Sequence, residues 1–154
     1  MGIRESLLAM ALARILGTYV KQHDLGFISG TDGTMEILSG LVRMPDVAFI
    51  SWERFPSGRV PDDVVLHLAP DLAVEVLGAG NTAKEMERKR REYFEAGVRL
   101  VWIINPKERN ALVYTSNDAG TLLDENSVLS GGRVIPGFEL RLSELFAELN
   151  RKND

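Results

Sequence analysis

Residues 70–94 read PDLAVEVLGAGNTAKEMERKRREYF, and the fold turns on how this stretch is divided. Its first part, Leu72–Leu77, is an apolar β run that opens after a proline, which is confined to strand starts and edges. Gly78–Gly80 ends that run. Asn81 or Thr82 then caps a helix lasting to Gly97, with Glu85 placed for a capping box if Thr82 is the cap. Immediately afterwards, VRLVWIIN (98–105) is a continuous apolar segment, the pattern of a strand covered on both faces. Strand, helix and buried strand in that order point to a mixed α/β domain.

Outward from this unit, residues 3–22 place Ile3, Leu7, Leu8, Ala11, Leu12, Ile15 and Tyr19 at helical spacing. GFISGTDGTMEIL (26–38) and VRMPDVAFISW (42–52) read as short strands separated by glycine turns, and FPSGRVPDD (55–63) as a loop. VVLHL (64–68) is strand-like up to Pro70. On the C-terminal side, ALVYTS, GTLLDE and RVI (133–135) read as strands and LRLSELFAELN (140–150) as a closing helix. The expectation is one mixed α/β domain over residues 1–154, without repeats or linkers.

Composition narrows the chemistry. With no cysteine and only two histidines, His23 and His67, the chain offers neither disulfides nor thiolate or histidine-rich metal sites, so any metal has to be held by oxygen. A formal charge of −4 gives no global attraction to nucleic acid, which leaves a local patch as the only electrostatic route. No apolar run approaches the roughly 20 residues of a membrane span, and the N-terminal run carries Arg4, Glu5 and Arg14 rather than a signal-peptide pattern. A cytoplasmic location is expected.

Alternation along the strand puts Asp71, Ala73, Glu75 and Leu77 on one face and Leu72, Val74 and Val76 on the other. Carboxylates on a face that the next helix covers need a cation or strong donors nearby. Asp46, opening PDVAFIS, poses the same problem. If the two strands are antiparallel neighbours, Asp46 approaches Glu75 rather than Asp71. Asp71 and Glu75 themselves stand about 13 Å apart and cannot share an ion. In the helix, Met86, Tyr93 and Gly97 share a stripe, and Lys89 falls inside it, so Lys89 is the base of ERKRR expected to face the sheet. Two acids and a lysine on a sheet face suit phosphodiester hydrolysis: carboxylates bind Mg²⁺ or a similar cation, and an ammonium offsets charge in the transition state.

Other residues read as structural. Trp102 belongs to the core by pattern, Trp52 to its rim, and Arg43 and Arg99 flank strands, where solvation and phosphate contact are not separable by sequence.

The ordered motifs MPDVAFIS (44–51), APDLAVEVLGAGNTAKEMERKRREYFEAGVRLVWIINP (69–106) and VIPGFELRLSELF (134–146) resemble the Uma2 family of restriction-endonuclease-like proteins. The resemblance extends from the first helix to about Phe146. It implies the PD-(D/E)XK nuclease fold, a central mixed sheet flanked by helices, and a Mg²⁺- or Mn²⁺-dependent endonuclease acting on DNA, with a homodimer as the assembly that cuts both strands. It matches Asp46 to the acid of the PD element, Glu75 to that of the (D/E)XK element and Asp71 to a second PD. Asp46 and Glu75 would then bind metal, with Asp71 as a supporting acid. Where a strict E-x-K has lysine this chain has Leu77, so the lysine has migrated, with Lys89 the natural substitute and Lys84 the second choice. The chain begins at its first long helix, without the hairpin-like segment many members carry upstream; Glu5 or Glu36 would have to replace any acid from it. The alternative is an inactive nucleic-acid-binding or protein-interaction module on the same fold.

Overall fold

The computed structural model describes residues 1–152. Helix α1 (Ile3–Gln22) leads into β1 (Gly26–Ser29), a separate hairpin of β2 (Met35–Leu38) and β3 (Leu41–Arg43), and β4 (Val47–Ser51). After an irregular stretch come β5 (Leu72–Val76), α2 (Ala83–Glu95) and β6 (Leu100–Asn105). The meander β7 (Asn110–Ser116) and β8 (Ala119–Leu123) follows, then β9 (Val128–Ser130), β10 (Glu139–Arg141) and α3 (Leu142–Phe146).

The central sheet has the order β1-β4-β5-β6-β7-β8. Only β5 and β6 run parallel, joined by the α2 crossover, and the remaining neighbours are antiparallel. The sheet is therefore mixed, as expected. One face packs on α1 and α3: Leu8, Leu12, Leu16 and Val20 meet Val47, Phe49, Leu72, Val74 and Trp102. The other face carries α2 and the β2–β3 hairpin, with Met86, Tyr93, Met35 and Ile37 over Ala48, Ile50, Ala73, Val101 and Ile103. Alternation along β5 thus sorts its side chains as the sequence requires, since Leu72, Val74 and Val76 join the first layer and Ala73 the second.

Helix α2 is held by few anchors. Thr82 caps it, its side chain accepting from Glu85 N at 3.1 Å. Gly97, at φ +99°, ends it where a side chain would be strained, with Val98 N donating to Tyr93 O at 3.0 Å. Only Met86 and Tyr93 are buried from it, at roughly 1.5–3 kcal/mol per side chain.

Some local expectations are corrected. RVI forms no strand: Gly131 and Gly132 before it and Pro136 and Gly137 after it enclose a turn, with Gly132 and Gly137 at φ +56° and +82°. The pairing there is instead between β9 and β10, and β10 includes Leu140 and Arg141, the first residues of the expected closing helix. That helix spans only Leu142–Phe146, followed by a 3-10 turn at Ala147–Leu149. VVLHL makes a single bridge, Met35 to Leu66, and leaves Val64 94% exposed. In α1 the inward stripe is Leu8, Leu12, Leu16 and Val20, whereas Ile3 and Leu7 face out.

Candidate active site

The antiparallel pairing of β4 and β5 sets Val47 opposite Val74, so Asp46 arrives beside Glu75 at the C-terminal end of β5. Asp46 Oδ2 accepts from the backbone N of Val76 at 2.7 Å. Glu75 is 6% exposed, and its Oε1 accepts from the Tyr93 hydroxyl at 2.6 Å. The two carboxyl groups are near enough for the charge of Asp46 to act on Glu75. Lys89 Nζ stands 4.0 Å from Glu75 Oε1 and 3.7 Å from Glu85 Oε1. The three groups expected to meet, Asp46, Glu75 and Lys89, line one cleft of about 530 Å³.

Burial controls the electrostatics. It pushes the Glu75 carboxyl up to about 7, against the lowering effects of the Lys89 ammonium and the Tyr93 hydrogen bond, and the neighbouring Asp46 pushes the same way as burial. Asp46 is raised too, chiefly by burial, opposed by its bond from Val76 N and by Lys89. Burial and the adjacent Glu75 carboxylate move the Tyr93 hydroxyl upward, so it stays a donor. Both carboxyls therefore keep their protons to higher pH than free carboxyls do.

Each acid has one oxygen fixed by a protein donor, and the other oxygens suit a hard cation. Among the described residues no three His, Cys, Asp or Glu side chains gather as a metal cage. Mg²⁺ is characteristically held by one or two carboxylates, with water and substrate phosphate completing the shell, and the Asp46–Glu75 pair fits that donor set.

The remaining expectations separate cleanly. Asp71 is not part of the cleft; it sits at the other end of β5, 3% exposed, where Ser51 N donates to it at 2.8 Å and Arg54 at 3.0 and 3.1 Å. Arg99 stands 3.8 Å away. These donors satisfy Asp71 and tie β5 to the turn after β4 and the entry to β6. Lys84 lies on the outer face of α2 with Arg88 and Arg91. Glu5, from the first turn of α1, does line the cleft, whereas Glu36 is engaged with His67 at 3.4 Å. His23 stacks on Tyr19 at 4.1 Å, Trp52 packs on Phe27 at 5.3 Å, and Arg43 pairs with Glu92. Sequence reasoning left Tyr93 as core packing. Its signal was there: a tyrosine one turn beyond an inward lysine needs a partner for its hydroxyl.

The architecture is a mixed α/β sheet with acids at the end of its parallel pair and a lysine from the crossover helix. The chain belongs to the Uma2 family, whose model, described as "Putative restriction endonuclease", matches residues 1–143. Among solved structures it is similar to one titled as a "putative nuclease belonging to DUF820" from Anabaena variabilis ATCC 29413, at 17% identity and a TM-score of 0.86. The match covers 97% of this chain and 84% of that one. At such identity the likeness shows the fold. No curated protein matches.

Proposed function

We propose that the protein is a metal-dependent endonuclease that hydrolyses DNA phosphodiester bonds, with Asp46 and Glu75 holding Mg²⁺ or Mn²⁺ and Lys89 assisting. One observation carries the reading: from three separate elements, two carboxylates and one ammonium converge in a single cleft, with Lys89 4.0 Å from Glu75. Family membership supports the same chemistry.

A bound divalent ion would orient the phosphate, acidify the attacking water and offset charge on the leaving oxygen. The chain's own residues do the rest. Tyr93 fixes one Glu75 oxygen and leaves the other without a protein donor among the described residues. The Val76 amide does the same for Asp46. Glu85 and Glu75 hold Lys89 in place, where its ammonium can donate to the attacking water or to a non-bridging phosphate oxygen. Asp71 contributes only by fixing β5. A cytoplasmic location and pairing of two copies on the duplex complete the proposal.

The test is cleavage of supercoiled plasmid in Mg²⁺ or Mn²⁺ by wild type, Glu75→Ala and Lys89→Ala, each checked for folding by circular dichroism. Nicking by the wild type that both substitutions abolish is expected. Equal cleavage by all three would sink the site assignment.

A further inference from the structure

The active-site cleft does not end at the acids. A second cleft, of about 730 Å³, adjoins it, and Glu5, Gly78, Ala79 and Asn81 line both. It opens beyond the C-terminal ends of β5 and β6, the one parallel pair in the central sheet, which is where α/β sheets characteristically receive ligands. Its character is opposite to that of the first cleft. Arg4 and Lys107 line it, both exposed and neither in an ion pair among the described residues. Arg109 also borders it, but its guanidinium is taken up by Glu125 and lies over the Phe146 ring at 5.2 Å.

Two amides add donors. Asn81 Oδ1 accepts from Gly78 N at 2.8 Å and Asn105 Oδ1 from Glu108 N at 3.1 Å. With their oxygens occupied, the free end of each side chain is its NH₂ group. Arg4 also stands where helix stability would not put it: in the first turn of α1 a cation opposes the helix dipole. Between the two clefts a Cβ at Gly80 would meet nothing within 4 Å, whereas one at Gly78 would meet the Glu5 carboxyl carbon at 3.6 Å, so the open passage runs over Gly80.

We propose that this second cleft is the track for the DNA phosphate backbone on one side of the scissile bond, with Arg4 and Lys107 neutralising successive phosphates and Asn81 and Asn105 donating to their oxygens. The proposal rests on the nuclease reading above and specifies how the substrate lies in that same site. Phosphate contacts of this kind position a strand without reading its sequence, so the track confers affinity and register rather than sequence preference.

The experiment measures fluorescence anisotropy of a labelled duplex of about 20 base pairs, with Ca²⁺ in place of Mg²⁺, across a salt series. Wild type, Arg4→Ala/Lys107→Ala and Arg91→Ala, a control on the outer face of α2, are compared. The double variant is expected to bind about tenfold more weakly, and its slope of log affinity against log salt should be shallower by about 2. It should retain the wild-type response to Mn²⁺ in calorimetry, and Arg91→Ala should bind like wild type. Wild type that binds and cleaves DNA while the double variant keeps its affinity and slope overturns the track alone. An equal loss in Arg91→Ala also overturns it, because overall charge would then explain the effect. Wild type that binds no duplex at roughly 50 mM salt overturns both the track and the nuclease reading.

Discussion

Replacing Glu75 by glutamine should make the metal-free protein more stable at alkaline pH. The carboxyl is 6% exposed, and burial raises it from 4.5 to about 7. Between those values the folded state keeps a proton that the unfolded chain has released, so stability falls as pH rises through the window and levels off above it. A shift of that size corresponds to roughly 3 kcal/mol between the two limits. Glutamine carries no charge at any pH and can still accept the Tyr93 hydroxyl, so Glu75→Gln removes the penalty while keeping the bond. The expected gain at pH 8 in EDTA is about 2–3 kcal/mol, shrinking to under about 1 kcal/mol at pH 5. Urea denaturation of both proteins at the two pH values measures it; contributions of titrating groups away from the cleft cancel in the difference, and the neighbouring Asp46 shares in the pH dependence that remains. In a melting experiment the gain at pH 8 amounts to roughly 5–10 °C. A variant less stable than wild type at pH 8, or a difference that does not vary with pH, would refute the claim that Glu75 is held in the fold against its own charge.

Three further outcomes follow from the same geometry. Asp71→Ala should destabilise the protein by about 3 kcal/mol, because Arg54 loses a buried partner; calorimetry should find Mn²⁺ binding by the folded variant unchanged. Tyr93→Phe should cost only about 1 kcal/mol of stability in urea yet weaken Mn²⁺ binding by roughly 10–100-fold, as loss of a ligand-orienting bond does. It should also move the pH dependence attributed to Glu75 upward, since the Tyr93 bond lowers that carboxyl. Lys84→Ala should leave plasmid nicking intact where Lys89→Ala abolishes it, a contrast that separates the inward lysine from the outward one.

The centre of the fold was readable because residues 70–105 combine three unambiguous signals: a proline-opened strand, a capped helix ending in Gly97 and a strand apolar throughout. Antiparallel pairing of β4 with β5 then brought Asp46 to Glu75 by register alone. Helical spacing brought Lys89 inward because Met86 and Tyr93 are the buried anchors of α2. The periphery was less legible. RVI has strand composition, and only the surrounding glycines and Pro136 decide against pairing. Ile3 and Leu7 match a helical stripe as well as Leu8 and Leu12 do, and the sheet chooses between them. Asp71 looks like Glu75 in sequence, yet Arg54 and Ser51, which engage it, lie across an irregular loop that no local pattern connects to it. Glu5 enters only as a substitute for an upstream acid, because an acid in a first helical turn is ordinary.

The most direct test of the central claim is calorimetric titration of Mn²⁺ into wild type and Glu75→Ala near neutral pH, read beside nicking of supercoiled plasmid. The account predicts saturable binding by the wild type that disappears in the variant, with nicking lost in parallel. A wild type that binds no Mn²⁺ would contradict it, leaving Asp46 and Glu75 as a buried acid pair without a metal to hold.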